Sequence, residues 1–161
     1  MATQTQSPPY STYAALVGIF GVGLTGAAAL AHVLGKRPER LTALDLAVLV
    51  GATFKASRTV TSDEVMSFVR DPFVKEQAHE GDEQEVETGG PRQAIGELVT
   101  CSRCIGVWAA AGLVSAHTLA PQTGRLLTWS LAASAANDWL QAGFAALTSK
   151  ANELERRAGN G

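Results

Sequence analysis

The sequence predicts an all-α protein: a small integral membrane bundle of four hydrophobic helices, with a short amphipathic helix lying at the membrane surface. Three observations lead to this fold class. Charged residues make up only 17% of the 161 residues, below the roughly 25% of soluble domains. Hydrophobic residues, 46% of the chain, are concentrated in four blocks, and the charges collect between these blocks. The net charge of −2 shows no basic excess, so nucleic-acid binding is set aside as a function class.

The first block, residues 13–34, carries no formal charge. As a helix it would be about 33 Å long, which is enough to cross the roughly 30 Å hydrocarbon layer of a bilayer. It lacks the basic start and the short apolar core of a cleaved signal peptide, so we predict a retained membrane span. The preceding residues 1–12 contain Pro8 and Pro9 but no Lys or Arg, which predicts a disordered N-terminal tail.

The second block, residues 41–54, is interrupted by Asp45 and followed by Lys55 and Arg58. Even when it is extended to Ala56, its apolar run is short for a span. Two interpretations therefore remain open. Lys55 can extend its ammonium group to the interface, which gives a bundle with four spans. Alternatively, the block only dips into the membrane, which gives a three-span variant.

Between the second and third blocks lies the longest polar stretch of the sequence. Residues 62–70 carry acids at their start and predict the amphipathic surface helix, which Pro72 would end. The apolar face of this helix consists of Val65, Met66, Phe68 and Val69. Residues 71–93 are rich in acidic and other polar residues and glycine, from which we predict a mobile acidic loop.

The remaining two blocks complete the predicted bundle. Residues 94–120 form the third block and residues 126–147 the fourth, with a tight turn at 121–124 between them. The predicted membrane domain therefore covers residues 13–147. Residues 148–161 are polar and predict a C-terminal tail that begins as a frayed helical end.

Small residues recur every four positions on two of these blocks, a pattern that lets helix backbones approach closely in membranes. The stripe on the first block consists of Gly23, Ala27, Ala31 and Gly35, and the stripe on the fourth consists of Ser130, Ser134, Asp138, Ala142 and Ala146. We interpret both stripes as helix-packing faces. Chance recurrence in an Ala-rich sequence is the alternative interpretation.

The distribution of the 13 basic residues predicts the orientation in the membrane. With four spans and both termini in the cytoplasm, four basic residues lie outside and nine inside, and the reverse orientation exchanges these numbers. With three spans and an external N-terminus, Arg125 alone lies outside. In both variants, the positive-inside rule places the acidic loop and the segment from Cys101 to Cys104 on the cytoplasmic side of the cell membrane.

Cys101 and Cys104 form a Cys-x-x-Cys pair and are the only cysteines in the chain. Two thiolates supply half of a tetrahedral zinc site, which His79, Glu97 or the cysteines of a second copy would complete. The same spacing at a helix start lowers the pKa of one thiol, as in thiol–disulfide enzymes, although no thioredoxin-like βαβ pattern surrounds it. The third interpretation is a pair of reduced cysteines packed as small hydrophobic residues.

If the third block is one continuous helix, Cys101 and Cys104 lie on one face, about one turn apart. Glu97 and Trp108 fall on the same face, so the four residues form one predicted stripe at the cytoplasmic end of the block. Arg103 points elsewhere and would act on the thiols only through its electric field.

Asp138 lies well inside the fourth block, where a carboxylate must be neutral, paired or hydrated. Arg58 and Arg103 are its candidate partners. We expect a structural ion pair or a helix cap rather than a proton pathway, because no second acid lies equally deep. Arg58, Arg70 and Lys55 are also candidates for contacts with anionic lipid headgroups.

His32 and His117 fall near the outer ends of their predicted helices. Two facing histidines would suit a haem or a metal ion, whereas isolated interfacial histidines are the commoner arrangement. The sequence contains no P-loop, dinucleotide-binding, zinc-protease or serine-hydrolase motif.

Four segments of the chain carry a distinctive residue pattern. They are Phe54-Lys55-Ala56-Ser57-Arg58, Thr61-x-Asp63-x-Val65, Val69-Arg70-x-Pro72-Phe73 and Gly96-Glu97-Leu98-Val99-Thr100-Cys101-x-x-Cys104-x-Gly106-x-Trp108. These segments resemble an uncharacterised bacterial family of multi-pass membrane proteins, a domain of unknown function with some sporulation-labelled members. The resemblance covers about residues 41–147. It implies that the second block spans the membrane, since shorter members lack the first span, and it implies no activity.

Because the sequence contains no catalytic constellation, the predicted function is that of a non-enzymatic scaffold or accessory subunit of a membrane assembly. Its partners would be the lipid bilayer and either other membrane-protein subunits or further copies of the chain. The alternative is a membrane-bound thiol or metal protein that acts through Cys101 and Cys104, with zinc as the candidate cofactor. A stoichiometric metal or a readily cycled disulfide would favour this alternative.

Overall fold

A computed structural model describes residues 8–36, 41–74, 86 and 89–159 of the chain. Over these ranges it contains six α-helices and no β-strand, which confirms the all-α prediction. The helices are α1 (Tyr10–Val33), α2 (Ala43–Ser62), α3 (Ser67–Arg70), α4 (Gly90–Thr100), α5 (Ser102–Leu119) and α6 (Pro121–Gly159). Two turns of 3-10 helix, Glu64–Met66 and Asp71–Phe73, flank α3.

Much of the predicted N-terminal tail and acidic loop lies outside the described residues, at 1–7, 75–85 and 87–88. Helix α1 begins at Tyr10, so the last residues assigned to the tail are helical. Within the predicted acidic loop, Val74 and Val86 pair in an isolated antiparallel bridge. The predicted end of this loop is wrong, because α4 already begins at Gly90. The residues predicted as a C-terminal tail with a frayed helical start are instead the regular continuation of α6, as far as Gly159.

The helices form one bundle in which α2, α5 and α6 pack against one another, and α1 packs against α5 and α4. Small residues occupy the points of closest packing, since Ala52, Thr128 and Ala135 are almost fully buried. Helix α6 has 39 residues and is therefore about 58 Å long. Its residues from 141 onward are almost all exposed, so this half of the helix lies outside the packed core.

Among the described residues, one helix is long and apolar enough to cross a membrane by itself, and this is α1. Helices α4 and α5 pass the same test only when they are taken together as one span, bent by 79°. Length and composition therefore support a membrane span near the N-terminus, and they do not establish the predicted bundle of four spans.

The charge that interrupts the second block lies at the start of α2. Thr42 is the N-cap, and its hydroxyl oxygen accepts a hydrogen bond from the Asp45 backbone N–H at 3.2 Å. In return, the Asp45 carboxylate accepts from the Thr42 backbone N–H at 3.0 Å. This reciprocal capping box satisfies two free donors at the helix start, and it places a negative charge at the positive end of the helix dipole. Asp45 thus begins α2 rather than breaking it.

The predicted surface helix at residues 62–70 is wrong as a single element. Asp63 has an extended backbone, with φ −75° and ψ 137°, and it separates α2 from the short helical turns that follow. Arg70 explains the fold of this segment, because its guanidinium donates to the backbone oxygens of Val60 at 2.7 Å and Asp63 at 2.9 Å. Of the predicted apolar face, Val65 and Phe68 are exposed, whereas Met66 and Val69 are half-buried.

The connection between α5 and α6 is shorter than the predicted turn at 121–124, which is wrong. Only Ala120 is outside the two helices, and α6 begins at Pro121, a residue suited to a first helical position. A Cβ atom on Gly124 would lie 2.6 Å from the backbone nitrogen of His117. Glycine at this position therefore allows α6 to fold back directly onto the end of α5.

The two small-residue stripes contribute less to packing than predicted. On α1, Ala31 is buried, but a Cβ atom added to Gly23 would meet nothing within 4 Å. On α6, the buried positions are Gly124, Thr128 and Ala135, whereas the stripe positions Ala142 and Ala146 are exposed. The packed face of α6 thus begins earlier in the helix and follows a different register from the stripe, because the close turn at Gly124 sets which face meets α5.

Candidate functional site

The Cys-x-x-Cys segment lies at a sharp break between two helices, so the predicted continuous face is wrong. Helix α4 ends at Thr100 and α5 begins at Ser102, and the two helix axes differ in direction by 79°. Cys101 is the N-cap of α5, with φ −96° and ψ 105°. Its Sγ accepts a hydrogen bond from the Cys104 backbone N–H at 3.2 Å. A thiol here takes the capping role that a hydroxyl or carboxylate usually has.

Both cysteines are free thiols, but their surroundings differ. Hydrogen bonding to the Cys104 side chain is the largest influence that lowers the pKa of the Cys101 thiol below its usual value. Burial opposes this, while the backbone N–H groups of Cys104 and Arg103 and the positive field of Arg103 reinforce it. Arg103 thus acts on the pKa of Cys101 through its backbone N–H as well as through its positive field, and Cys101 is the thiol that is favoured as the thiolate.

A cavity of about 350 Å³ lies beside Cys104, between α1, α4 and α5. Its lining residues are Tyr13, Leu16, Val17, Phe20, Ala94, Glu97, Leu98, Cys104, Val107 and Trp108. Three members of the predicted stripe, Glu97, Cys104 and Trp108, therefore converge on one apolar space. Cys101 does not line it. We call this space the α1–α4–α5 cavity.

Glu97 is held by hydrogen bonds from both sides of the α1–α4–α5 cavity. Tyr13 of α1 donates its phenolic O–H to Glu97 Oε2, and Gln93 Nε2 donates to Glu97 Oε1 at 3.0 Å. The Tyr13 contact joins α1 to α4. Each carboxylate oxygen thus has one protein donor, and each retains a further acceptor site.

Two aromatic rings connect α1 to α5 at the same cavity. The rings of Phe20 and Trp108 meet edge to face, with centroids 5.1 Å apart. This geometry is favourable for aromatic pairs. Since Tyr13 and Phe20 are seven residues apart, they lie on one face of α1, and both point towards the cavity. Neither was singled out from the sequence, although this aromatic spacing is the signal that could have identified them.

The segment before the cysteines is anchored by another close approach. A Cβ atom on Gly96 would lie 2.9 Å from the Phe73 carbonyl oxygen and would overlap the Val86 side chain. Glycine at position 96 therefore lets α4 contact both sides of the acidic loop. This contact orients the end of α4 where Glu97 and Cys101 lie.

The described residues contain no group of three or more His, Cys, Asp or Glu side chains placed to hold one metal ion. His79, one of the candidate zinc ligands, lies outside the described residues. Glu97 is engaged by Tyr13 and Gln93. Within the described part of one chain, the cysteines therefore supply two zinc ligands, and the remaining ligands would have to come from elsewhere.

Asp138 forms an ion pair, but its partner is neither Arg58 nor Arg103 as the sequence suggested. Lys55 Nζ lies 2.9 Å from Asp138 Oδ2 and 3.6 Å from Asp63 Oδ2. One ammonium group therefore joins the middle of α6 to the C-terminal end of α2. The Asp138 carboxylate is thus paired, and its structural role stays a prediction.

The two arginines proposed for lipid headgroups have different positions. Arg70 is only 4% exposed, and its guanidinium is engaged by backbone oxygens, so it belongs to the fold rather than to a lipid surface. Arg58 is exposed. Of the two residues, Arg58 retains the accessibility that a headgroup contact requires.

The structure does not bring His32 and His117 to a common cavity. His117 Nε2 lies 2.7 Å from the hydroxyl of Thr128, which itself donates to the Gly124 carbonyl at 2.7 Å. Because that hydroxyl has a single proton, His117 Nε2 is the donor. His32 lines a second cavity of about 380 Å³ between α1 and α5, and His117 is not among its lining residues.

Comparison with known proteins identifies relatives. A family model described as a protein of unknown function, DUF1360, matches residues 48–144. Sporulation protein YjcA of Bacillus subtilis is 31% identical over 98 residues, which cover 57% of this chain and 83% of that protein. UPF0713 protein YngL of the same organism is 27% identical over 108 residues, covering 64% of this chain and 80% of that protein. No solved structure matches the chain.

Proposed function

The chain belongs to the DUF1360 family of proteins of unknown function, and we propose that it is a multi-pass integral membrane protein that acts as a scaffold or accessory subunit of a membrane assembly. In this proposal α1, α2, α5 and the first half of α6 span the membrane. The C-terminus, the acidic loop and the Cys-x-x-Cys segment face the cytoplasm, as the distribution of basic residues favours in both variants. With four spans the N-terminus faces the cytoplasm as well, although the count of basic residues slightly favours the three-span variant.

The observation that carries the proposal is the exposure of large apolar side chains on all four long helices. They include Val17, Ile19 and Val22 on α1, Leu44, Leu46 and Val50 on α2, Val107 and Val114 on α5, and Trp139, Leu140 and Phe144 on α6. Soluble monomers rarely expose such continuous apolar surfaces, whereas lipid is a suitable environment for them. Most of the buried residues, by contrast, are alanine or polar, which is typical of helix contacts in membranes; the exceptions are Val74, Val99 and Leu113.

Helix α2 fits this proposal despite its charges. It has 20 residues and is about 30 Å long, which matches the hydrocarbon layer. Asp45 lies at its capped first turn. Lys55 is neutralised by Asp138 and by Asp63 at the opposite end. Each charge is thus at an end or paired, as an intramembrane charge must be.

An assembly role is supported by the surfaces that the bundle leaves uncovered. The second half of α6 extends beyond the packed core, with Phe144 and Leu147 exposed. The relatives' names supply no reaction, and YjcA is named only for sporulation. Other membrane subunits or further copies of this chain are the partners that such a helix suits.

Topology reporters test the membrane part of the proposal. Fusions after Gln84 and after Ala158 should both report the cytoplasm, and a fusion after Gln4 should do so for four spans. An external signal at position 84 would contradict the orientation, and an external signal at position 4 would indicate the three-span variant.

Light scattering of the purified protein in detergent tests the assembly part of the proposal. A strictly monomeric chain, with no membrane protein co-purifying from its native membrane, would contradict it.

A second candidate function is that of a membrane-bound thiol protein, and the capping contact of Cys101 with Cys104 favours it. The contact places Cys101 Sγ over the first turn of α5, the helix that carries Cys104, and the pair has the Cys-x-x-Cys spacing of thiol–disulfide enzymes. If the two thiols act together, Cys101→Ser and Cys104→Ser should each abolish disulfide cycling or metal binding, and the double change should add nothing. Mild, additive effects would contradict a shared role.

Elemental analysis tests whether the thiols bind zinc. Zinc bound between two copies of the chain would appear as half an equivalent per chain.

A further inference from the structure

We propose that Cys101 and Cys104 are a dithiol–disulfide couple whose electron acceptor is a quinone-class molecule bound in the α1–α4–α5 cavity. The inference rests on the second candidate function, the thiol protein, and it adds the class of substrate. Three features of the site lead to it: the position of the thiols, the chemistry of the cavity wall and the access to the cavity.

The first feature is the position of the two thiols. Cys101 Sγ lies over the first turn of α5, 3.2 Å from the Cys104 backbone nitrogen, and the two cysteines have the Cys-x-x-Cys spacing that thiol–disulfide enzymes use. The start of an 18-residue helix stabilises negative charge on sulfur. Cys104 lines the cavity and Cys101 does not. Cys104 is therefore the thiol that faces a bound acceptor, and Cys101 is the thiol that closes the disulfide.

The second feature is the chemistry of the cavity wall. The walls are mainly apolar and aromatic, with Phe20 and Trp108 packed edge to face. The polar side-chain groups of the lining residues are the Tyr13 phenol, the Glu97 carboxylate, the Cys104 thiol and the Trp108 indole N–H. No Lys or Arg is among the lining residues, so phosphate-bearing redox cofactors such as flavin or nicotinamide nucleotides have no counter-charge there. A flat, uncharged acceptor with few hydrogen-bonding groups fits these walls.

The third feature is access from the lipid phase. One wall of the cavity is α1, the most apolar helix of the chain and the one that can cross a membrane by itself. Val17 lines the cavity and is also 71% exposed on the outer surface of α1. The cavity thus opens beside a surface that suits lipid. Quinones are two-electron acceptors that dissolve in lipid, which makes them the class that this route admits.

The reaction is balanced by the quinone itself. Two S–H bonds break and one S–S bond forms, so the cysteines lose two electrons and two protons. The two quinone carbonyl oxygens gain them and become the hydroxyl groups of a hydroquinone. Glu97 retains an acceptor site on each oxygen besides those used by Tyr13 and Gln93, and it can accept a hydrogen bond from a hydroquinone hydroxyl.

The experiment uses the purified, reduced full chain in detergent without oxygen. The probe is a benzoquinone whose four ring positions are all substituted, one by a short alkyl tail, so that direct addition of a thiol to the ring is blocked. We expect one disulfide and one hydroquinone per chain, measured by mass spectrometry after alkylation of the remaining thiols and by ultraviolet absorbance. Diamide, a small water-soluble oxidant, serves as the reference that does not need the cavity.

Two tryptophan substitutions on α1 make the test specific for the cavity. Leu16→Trp fills it, whereas Val22→Trp adds the same side chain to an exposed position of α1 that does not line it. We expect Leu16→Trp to slow oxidation by quinone by about tenfold or more, the equivalent of about 1.4 kcal/mol of lost binding. Oxidation by diamide should be unchanged in both variants. Unchanged helical circular dichroism and a single elution peak in detergent show that each variant is folded.

Each outcome is decisive. If diamide forms the disulfide in the wild-type chain and quinone does not, the quinone assignment is overturned while the thiol function stands. If quinone oxidises Leu16→Trp as fast as Val22→Trp, the cavity is not the acceptor site. If neither oxidant forms a disulfide between Cys101 and Cys104, the thiol function itself is overturned.

Discussion

The two sides of α5 are packed in opposite ways. Towards α6, the chain uses the smallest residues: a Cβ atom on Gly124 would lie 2.6 Å from the His117 nitrogen, so the helix backbones are in direct contact. Towards α1, the chain uses bulky rings, and Phe20 and Trp108 hold the helices apart beside a cavity of about 350 Å³. The comparison shows that one helix can carry a rigid contact on one face and a space for a ligand on another.

The largest expected change in stability comes from a substitution that disrupts the close contact between α5 and α6. Gly124→Ala should destabilise the protein by about 3 kcal/mol or more, because the added Cβ meets the backbone of His117 and Ala116, which cannot move aside. Gly23→Ala, on the loosely packed helix α1, is the matched control. It should be neutral or stabilising by up to about 1 kcal/mol, since its Cβ meets nothing and alanine favours a helix. Unfolding by SDS in mixed micelles measures both, and effects of the same sign would contradict the contrast.

The next effect concerns the ion pair that joins α2 to α6. Asp138→Ala should reduce stability and protein abundance more than Asp138→Asn, because the amide still offers an oxygen to Lys55. The Lys55 side chain is 18% exposed and the Asp138 side chain is 42% exposed. We therefore expect a cost between about 1 kcal/mol for an exposed pair and about 3 kcal/mol for a buried one.

The control for this effect is the exposed pair on the outer half of α6, Lys150 with Glu153 at 3.2 Å. Lys150→Ala should change stability by at most about 0.5 kcal/mol. If Asp138 variants lose a cellular phenotype while they accumulate like the wild type, an ionisable function would replace the structural role.

A smaller change in stability tests the Cys101 cap at the start of α5, beside the α1–α4–α5 cavity. Cys101→Ala removes the cap of α5 and should cost about 1 kcal/mol, whereas Cys101→Ser retains an acceptor and should cost little. Cys104→Ala should also cost little, because the donor in this contact is the Cys104 backbone N–H, which the substitution keeps. Equal costs for the two alanine variants would show that the sulfur cap contributes nothing.

The smallest effect is a difference in reactivity with no change in stability. Because hydrogen bonding to Cys104 lowers the pKa of Cys101, the Cys101 thiolate forms at lower pH than an ordinary thiolate does. Alkylation of Cys101 by iodoacetamide should therefore rise at a lower pH than alkylation of Cys104. Trypsin cuts after Arg103, between the two cysteines, so mass spectrometry quantifies each thiol separately. A Cys101 profile shifted to higher pH than that of Cys104 would contradict the assignment.

The candidate site was predictable in part. Helical spacing brought Glu97, Cys104 and Trp108 to one face, and all three line the cavity. The same spacing wrongly predicted Cys101 on this face, because nothing in the apolar pattern indicates the 79° bend between α4 and α5. The opposite wall, with Tyr13 and Phe20, could not be inferred, since the contact between α1 and α5 joins residues far apart in the sequence.

The sequence by itself determined where the main part of each long helix lies, because hydrophobic blocks and capping residues act over a few residues. It did not locate the break at Cys101, the short turns after α2 or the start of α6. It also predicted that Asp138 must be paired, because an isolated carboxylate in an apolar helix is too costly. Only the tertiary structure decided that Lys55 is the partner, that Gly124 sets the packed face of α6 and that a cavity lies beside Cys104. These features depend on the rotation and offset of one helix against another, which arise from many small packing contacts at once rather than from local pattern.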